Sequence, residues 1–174
     1  MLPIVDFACS IEHMIQVLSR VACIPRLSRL GWLMGLYAEN FDLLTRLFEP
    51  ADLLAGNYLS CIDDGLDLWV DVIEQHRYTT ELRMTYAMQD PVTGEPDPSA
   101  FLRLYRDARQ VEATHCYVGR RWQDVIGMYP PPAQVIDHRM RMNTFLGKWL
   151  RYLAENGHGV ATLRRMATQA PAAA

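Results

Sequence analysis

Apolar residues recur at helical spacing near both ends of the chain and alternate with polar ones in between. In residues 3–23, Ile4, Phe7, Ile11, Ile15, Leu18 and Val21 fall near one stripe, which Pro25 and the stretch from Arg26 to Arg29 interrupt. A second helix is predicted from Leu30 to Phe48, where Leu33, Tyr37, Phe41, Leu44 and Phe48 recur every three to four positions. Pro50 ends it, because proline disfavours helix at the residue before it. Over residues 57–74 the period drops to two: Leu66, Leu68, Val70 and Val72 alternate with Asp67, Trp69, Asp71 and Ile73, after a turn signal at Asp63-Asp64-Gly65. The clearest strand is Tyr78–Met88. It has Tyr78, Thr80, Leu82, Met84, Tyr86 and Met88 on one face and Thr79, Glu81, Arg83 and Thr85 on the other.

A polar loop with Pro91, Gly94, Pro96 and Pro98 follows. Further strands are predicted at Ala100–Arg106 and Val111–Val118, joined by a tight turn at Asp107-Ala108-Arg109. Pro130-Pro131-Pro132 closes the strand region. A long helix then runs from Ala133 to Glu155, with Ile136, Met140, Asn143, Leu146, Trp149, Leu150 and Leu153 as its inner stripe and Gly157 and Gly159 as stop signals. Helices, then strands, then a helix is α+β order. The expectation is an antiparallel sheet of four to five strands packed against an N-terminal helix (or two) and a long C-terminal helix. With 174 residues the chain supports one core. Residues 30–157 read as that domain, 1–29 as an accessory helix or extension outside the core, and 158–174 as a partly disordered tail.

Composition changes this picture little. Half the residues are hydrophobic and 21% charged, a globular profile, and the net charge of -3 creates no overall attraction to nucleic acid or anionic lipid. The distribution is uneven: residues 39–74 hold nine acids and one base, Arg46, while 115–174 hold eight bases and three acids. Both sets read first as solvated faces. Cys9, Cys23, Cys61 and Cys116 form no Cys-x-x-Cys pair and read as reduced, buried side chains. The amino terminus has no signal-peptide pattern, and no apolar run is long enough to span a bilayer. A cytoplasmic protein without a membrane partner is expected.

Three stretches carry a family resemblance. The first is Glu74-Gln75-His76-Arg77-Tyr78-Thr79-Thr80. The second is Arg103-Leu104-Tyr105-Arg106-Asp107-Ala108 followed by Val111-Glu112-Ala113. The third is Tyr129-Pro130 and then Asn143-x-Phe145-Leu146-x-x-Trp149-Leu150-Arg151-Tyr152-Leu153 and Gly157. With the helix around residues 37–48, they resemble the YqiB-like family of proteobacterial proteins, the domain of unknown function numbered 1249, over roughly residues 31–157. The resemblance implies the α+β fold and a cytosolic setting. It transfers no catalytic residue, because the family defines none.

The familiar chemistries are missing from the sequence. His13, His76, His115, His138 and His158 show no metal-ligand spacing, and Cys9 with His13 lacks two further ligands, so neither a metal nor a cofactor is expected. No nucleophile elbow or phosphate loop is present, and Cys116 beside His115 would point to the opposite face of a strand. Asp67 and Asp71 beside Trp69 read as a solvated edge that resists strand pairing. Tyr117, Arg120, Arg121 and Trp122, with Arg139, Arg141, Lys148 and Arg151 on the final helix, mix aromatic and basic groups as single-strand binders do.

The favoured reading is a non-enzymatic regulatory or adaptor protein that binds a protein partner or a small anionic ligand. The alternatives are an RNA- or single-strand-binding module and an enzyme of unrecognised type. The residues singled out are the polar members of the first two motifs: Glu74, Arg77, Tyr78, Arg103, Tyr105, Asp107 and Glu112. Arginine offers a rigid fork of donors suited to a carboxylate or phosphate. Arg77 and Arg103 either pair with Glu74, Asp107 or Glu112 and set the sheet register, or converge on an outside anion.

Overall fold

In the computed structural model, residues 28–63, 65–86, 88, 99–115 and 127–166 are described. Helix α1 (Arg29–Phe48) starts at Ser28, whose hydroxyl accepts from the Gly31 N–H at 3.0 Å. It ends at Glu49, which takes the left-handed conformation (φ 46°) immediately before Pro50. The strands are β1 (Gly56–Ser60), β2 (Leu68–Gln75), β3 (Thr79–Tyr86), β4 (Ser99–Tyr105) and β5 (Gln110–His115). Helix α2 (Pro132–Glu155) follows, with proline where the first turn needs no N–H, and β6 (Leu163–Arg165) closes the chain order. All adjacent strands are antiparallel, in the order β5-β4-β3-β2-β1-β6.

The α+β fold is as expected, with six strands instead of four to five. Two strands were not foreseen. The 57–74 stretch is two strands, β1 and β2, separated by residues 61–67. The expected tail contributes β6, which pairs with β1 through Tyr58↔Arg165 and Ser60↔Leu163, so the packed unit extends to Met166. Periodicity could not show a strand of three residues. The extension at residues 1–27, the 89–98 loop, Arg120, Arg121, Trp122, Asp64, three of the four cysteines and residues 167–174 lie outside the described residues. Cys61 is exposed and not buried as expected, because it lies just after β1 in the β1–β2 connection. Among the described residues no helix is long and apolar enough to cross a membrane.

The core joins both helices to one face of the sheet. Leu44 and Phe48 from α1, and Leu146, Leu150 and Leu153 from α2, pack on Leu68, Val70, Leu82, Met84, Leu102, Leu104 and Val111. Trp149 meets the Tyr86 ring edge-on, centroids 5.4 Å apart. Tyr78 lies outside this face. It precedes β3 and is 51% exposed, and the Arg77 guanidinium sits 5.0 Å from its ring centre. Met88, expected on the inner face, is exposed beyond the end of β3. In the first turns of α2 the buried positions are His138 and Met142, while Ile136 and Met140 are half-buried. Asn143, Leu146, Trp149, Leu150 and Leu153 are buried as predicted, so the stripe departs from the prediction only in these first turns.

Two contacts lock the helices to each other and to β5. Gly147 passes so close to α1 that a Cβ there would meet Asn40 Oδ1 at 2.8 Å. Asn40 Nδ2 donates to the Asn143 carbonyl at 3.0 Å. The Asn143 side chain accepts from the Ala113 N–H at 2.9 Å and so covers part of the exposed edge of β5.

Candidate functional site

On β4 and β5, Leu102, Leu104, Val111 and Ala113 face the core, so the alternation places Arg103, Tyr105 and Glu112 on the other face. The register aligns Glu81, Arg103 and Glu112 in one row across β3, β4 and β5. Arg103 has a carboxylate on each side and takes Glu81, donating to Oε1 from Nε at 2.9 Å and from Nη2 at 2.7 Å. The expected pairing of Arg103 with Glu74, Asp107 or Glu112 is thus corrected. Its partner Glu81 lies outside the three motifs, on the wet face of β3.

Glu112 is 6% exposed and collects three donors. Tyr105 Oη donates at 2.8 Å, Tyr37 Oη from α1 at 3.3 Å, and Arg139 Nη1 from α2 closes an ion pair. Arg139 also donates to Tyr37 Oη at 3.4 Å. Burial pushes both phenols above their ordinary values. Burial works against the Arg139 guanidinium, and the groups of Tyr37 and Glu112 more than offset it, so its pKa is raised. Arg139 is therefore an anchor of the fold, although the sequence reading placed it among nucleic-acid contacts. Tyr37 and Glu112 are 75 residues apart in the chain, and Arg139 and Glu112 are 27 apart, so no local pattern could reveal the cluster.

Beside this network lies a cavity of about 630 Å³, bounded by β4, β5, residues 128–130 and α2. Its polar wall is Arg103, Glu112, Thr114, His115, His138 and Arg139, and its apolar wall is Met128, Tyr129, Pro130, Val135 and Met142. Arg103 and Glu112 are the members of the singled-out set that line it. Burial, and secondarily the charges of Arg141 and Arg139, push the His138 imidazole below its ordinary value. A second groove, about 560 Å³, takes its lining among the described residues from α2, including Arg141, Phe145 and Lys148.

The remaining predicted residues are not brought together. Glu74 is exposed and paired with His76 at 2.9 Å. Asp107 Oδ1 accepts from the Ala108 N–H at 2.9 Å within its own turn, which Arg109 completes with φ 51°. Asp71 sits on an interior strand, opposite Arg83 in register, and not on an edge as expected; burial pushes its carboxyl up and Arg83 opposes that. Arg77 is exposed over Tyr78. Arg77→Ala is therefore expected to change stability by less than about 0.5 kcal/mol. A shift of the thermal midpoint beyond a few degrees would show that Arg77 holds a structural acid instead.

A second polar cluster was missed altogether. Ser60 Oγ lies 2.8 Å from His158 Nδ1 and 2.7 Å from Thr162 Oγ1, with Asp67 near enough to favour the charged imidazole. A serine, a histidine and an acid suggest a nucleophile and its base. Yet Ser60 is fully buried, and the adjoining cavity of about 20 Å³ has room for little more than one water. The cluster joins β1 to the segment that leads into β6.

Burial lowers the pKa of His158 as it does that of His138. The unfolded chain therefore takes up these protons first. The stability that the two groups contribute as neutral imidazoles is complete above about pH 6.5 and is lost as pH falls below it. Urea midpoints are expected to drop between pH 7.5 and 5.5, and His158→Gln should flatten the drop. A flat profile in the parent protein would refute the assignment.

A family model described as "Protein of unknown function (DUF1249)" matches residues 43–159. No curated protein and no solved structure matches the chain.

Proposed function

The chain belongs to the DUF1249 family, and we propose that it is a binding protein of the cytoplasm that does not catalyse a reaction and takes its ligand in the cavity between β4, β5 and α2. The observation that carries this reading is the composition of that cavity. Part of its lining is apolar, a few polar groups come to it from three separate elements, and the volume falls in the range of small-molecule sites. The polar groups are held in advance: Glu112 by its three donors, Arg103 by Glu81. Such preorganisation lowers the cost of ordering on binding. It also commits the one carboxylate of the wall to structural bonds, so Glu112 is poorly placed to act as an acid or base.

The test is retention of a small molecule from a cell extract passed through a filter that removes protein and nucleic acid. The protein is incubated, separated from free solutes and examined by native mass spectrometry beside Val135→Trp, which fills the cavity from its rim. A mass adduct on the parent protein that Val135→Trp lacks is the expected outcome. Equal adducts on both, or none on either, would reject the cavity as the recognition site.

A further inference from the structure

We infer that the ligand of this cavity is an amphipathic anion, an apolar body carrying a single carboxylate or phosphate, with its acid group read by Arg103 and Arg139. The inference rests on the proposed use of the cavity and adds the chemistry of its occupant. Its first basis is charge. Among the described residues, the lining contains two guanidiniums and one carboxylate; Glu81, which pairs with Arg103, is not part of it. Burial keeps His138 from adding to that charge, so the excess resides on the two arginines.

The second basis is the geometry of the donors. Among the described residues, Arg103 engages Glu81 through Nε and Nη2, and both bonds fall on the same oxygen. Arg139 engages Glu112 and Tyr37 through Nη1 alone. Both side chains keep about two fifths of their surface accessible. Arg103 also engages Tyr105; each guanidinium still has more N–H groups than these partners use, and its fork is matched in shape to two oxygens of one acid. The third basis is the rest of the lining, where Met128, Tyr129, Pro130 and Val135 supply apolar and aromatic surface. A cationic ligand would be repelled by the two half-accessible guanidiniums of the lining, and an inorganic anion alone would leave the apolar lining bare.

The experiment is calorimetric titration of the full chain with three probes that share one apolar body: 4-phenylbutyrate, its amide and 4-phenylbutylamine. Inorganic phosphate and 4-phenylbutyl phosphate form a second pair and separate a carboxylate preference from a phosphate preference. The acids are expected to bind at least about tenfold more tightly than amide and amine, as one charge-assisted bidentate contact implies. Arg103→Gln should remove that preference while leaving the amide's affinity unchanged; its ion pair with Glu81 is exposed enough for the fold to survive the change. Binding of the amide or amine as tight as that of the acid, with loss of both in Val135→Trp, would overturn the anion and leave the cavity in place. Binding of inorganic phosphate as tight as that of the phosphate ester would overturn the amphipathic ligand. Absence of binding by any probe at millimolar concentration would also overturn the inference, and the extract experiment would still judge the cavity by itself.

Discussion

Arg139→Ala is expected to lower the unfolding free energy by about 2–3 kcal/mol. Removing the cation from a buried ion pair costs roughly 3–5 kcal/mol when both partners are enclosed, and here only Glu112 is. The variant keeps Tyr37 and Tyr105 as donors to Glu112, so the carboxylate stays bonded but has no counter-charge. Glu112→Gln should cost less, about 1 kcal/mol, because the amide can still accept from a phenol and the half-exposed Arg139 can turn to water. The double variant should then be more stable than the sum of the single losses predicts, since the pair is coupled. Urea denaturation of the four proteins decides it. An Arg139→Ala midpoint equal to that of the parent, or strict additivity in the double variant, would show that the ion pair does not hold β5 to the helices.

A loss of about 2–4 kcal/mol is expected for Asn143→Leu. The buried amide accepts from the Ala113 N–H and donates to the Arg139 carbonyl at 2.8 Å, and each buried group left without a partner costs about 1–3 kcal/mol. Leucine of similar volume returns part of this through burial. The change also uncovers the edge of β5, an unpaired row of backbone groups that can recruit a second strand. Hydrogen exchange at Ala113 should accelerate relative to Leu104, and sedimentation should show association that the parent lacks. Unchanged protection at Ala113 would mean that the edge is covered by something other than Asn143.

Much of the framework was readable along the chain. Helix α1 follows from Leu33, Tyr37, Leu44 and Phe48 at one spacing and from Pro50 beyond it. Strand β3 follows from the alternation of Thr80, Leu82, Met84 and Tyr86 with Thr79, Glu81 and Arg83. In these segments each residue's environment is set by neighbours a few positions away, and periodicity reports it directly. Gly147 was legible for a related reason: a glycine inside a helix costs about 1 kcal/mol relative to alanine, so its presence implied close contact, and that contact is with Asn40. Membership of the DUF1249 family was legible too, from three motifs in order.

The site was legible only in part. Arg103 and Glu112 were singled out and both line the cavity, but their partners Glu81, Tyr37 and Arg139 were not recognised as such. Glu81 lay in a strand outside the motifs, Tyr37 read as one more core aromatic of α1, and Arg139 read as a surface cation. His138 is buried on the inner side of α2, a position that the apolar periodicity did not predict.

The sequence by itself determined both helices and four of the six strands, their order and which face of β3 and β4 turns inward, because backbone dihedral preferences and the burial of alternating apolar side chains act over a few residues. Only the tertiary structure decided the partner of each charge, the use of residues 158–166 as part of the sheet and the existence of the cavity. Those depend on strand register and helix placement, which bring side chains dozens of positions apart within 3 Å. A carboxylate flanked by two cations in space carries no mark in the sequence of which one it will take.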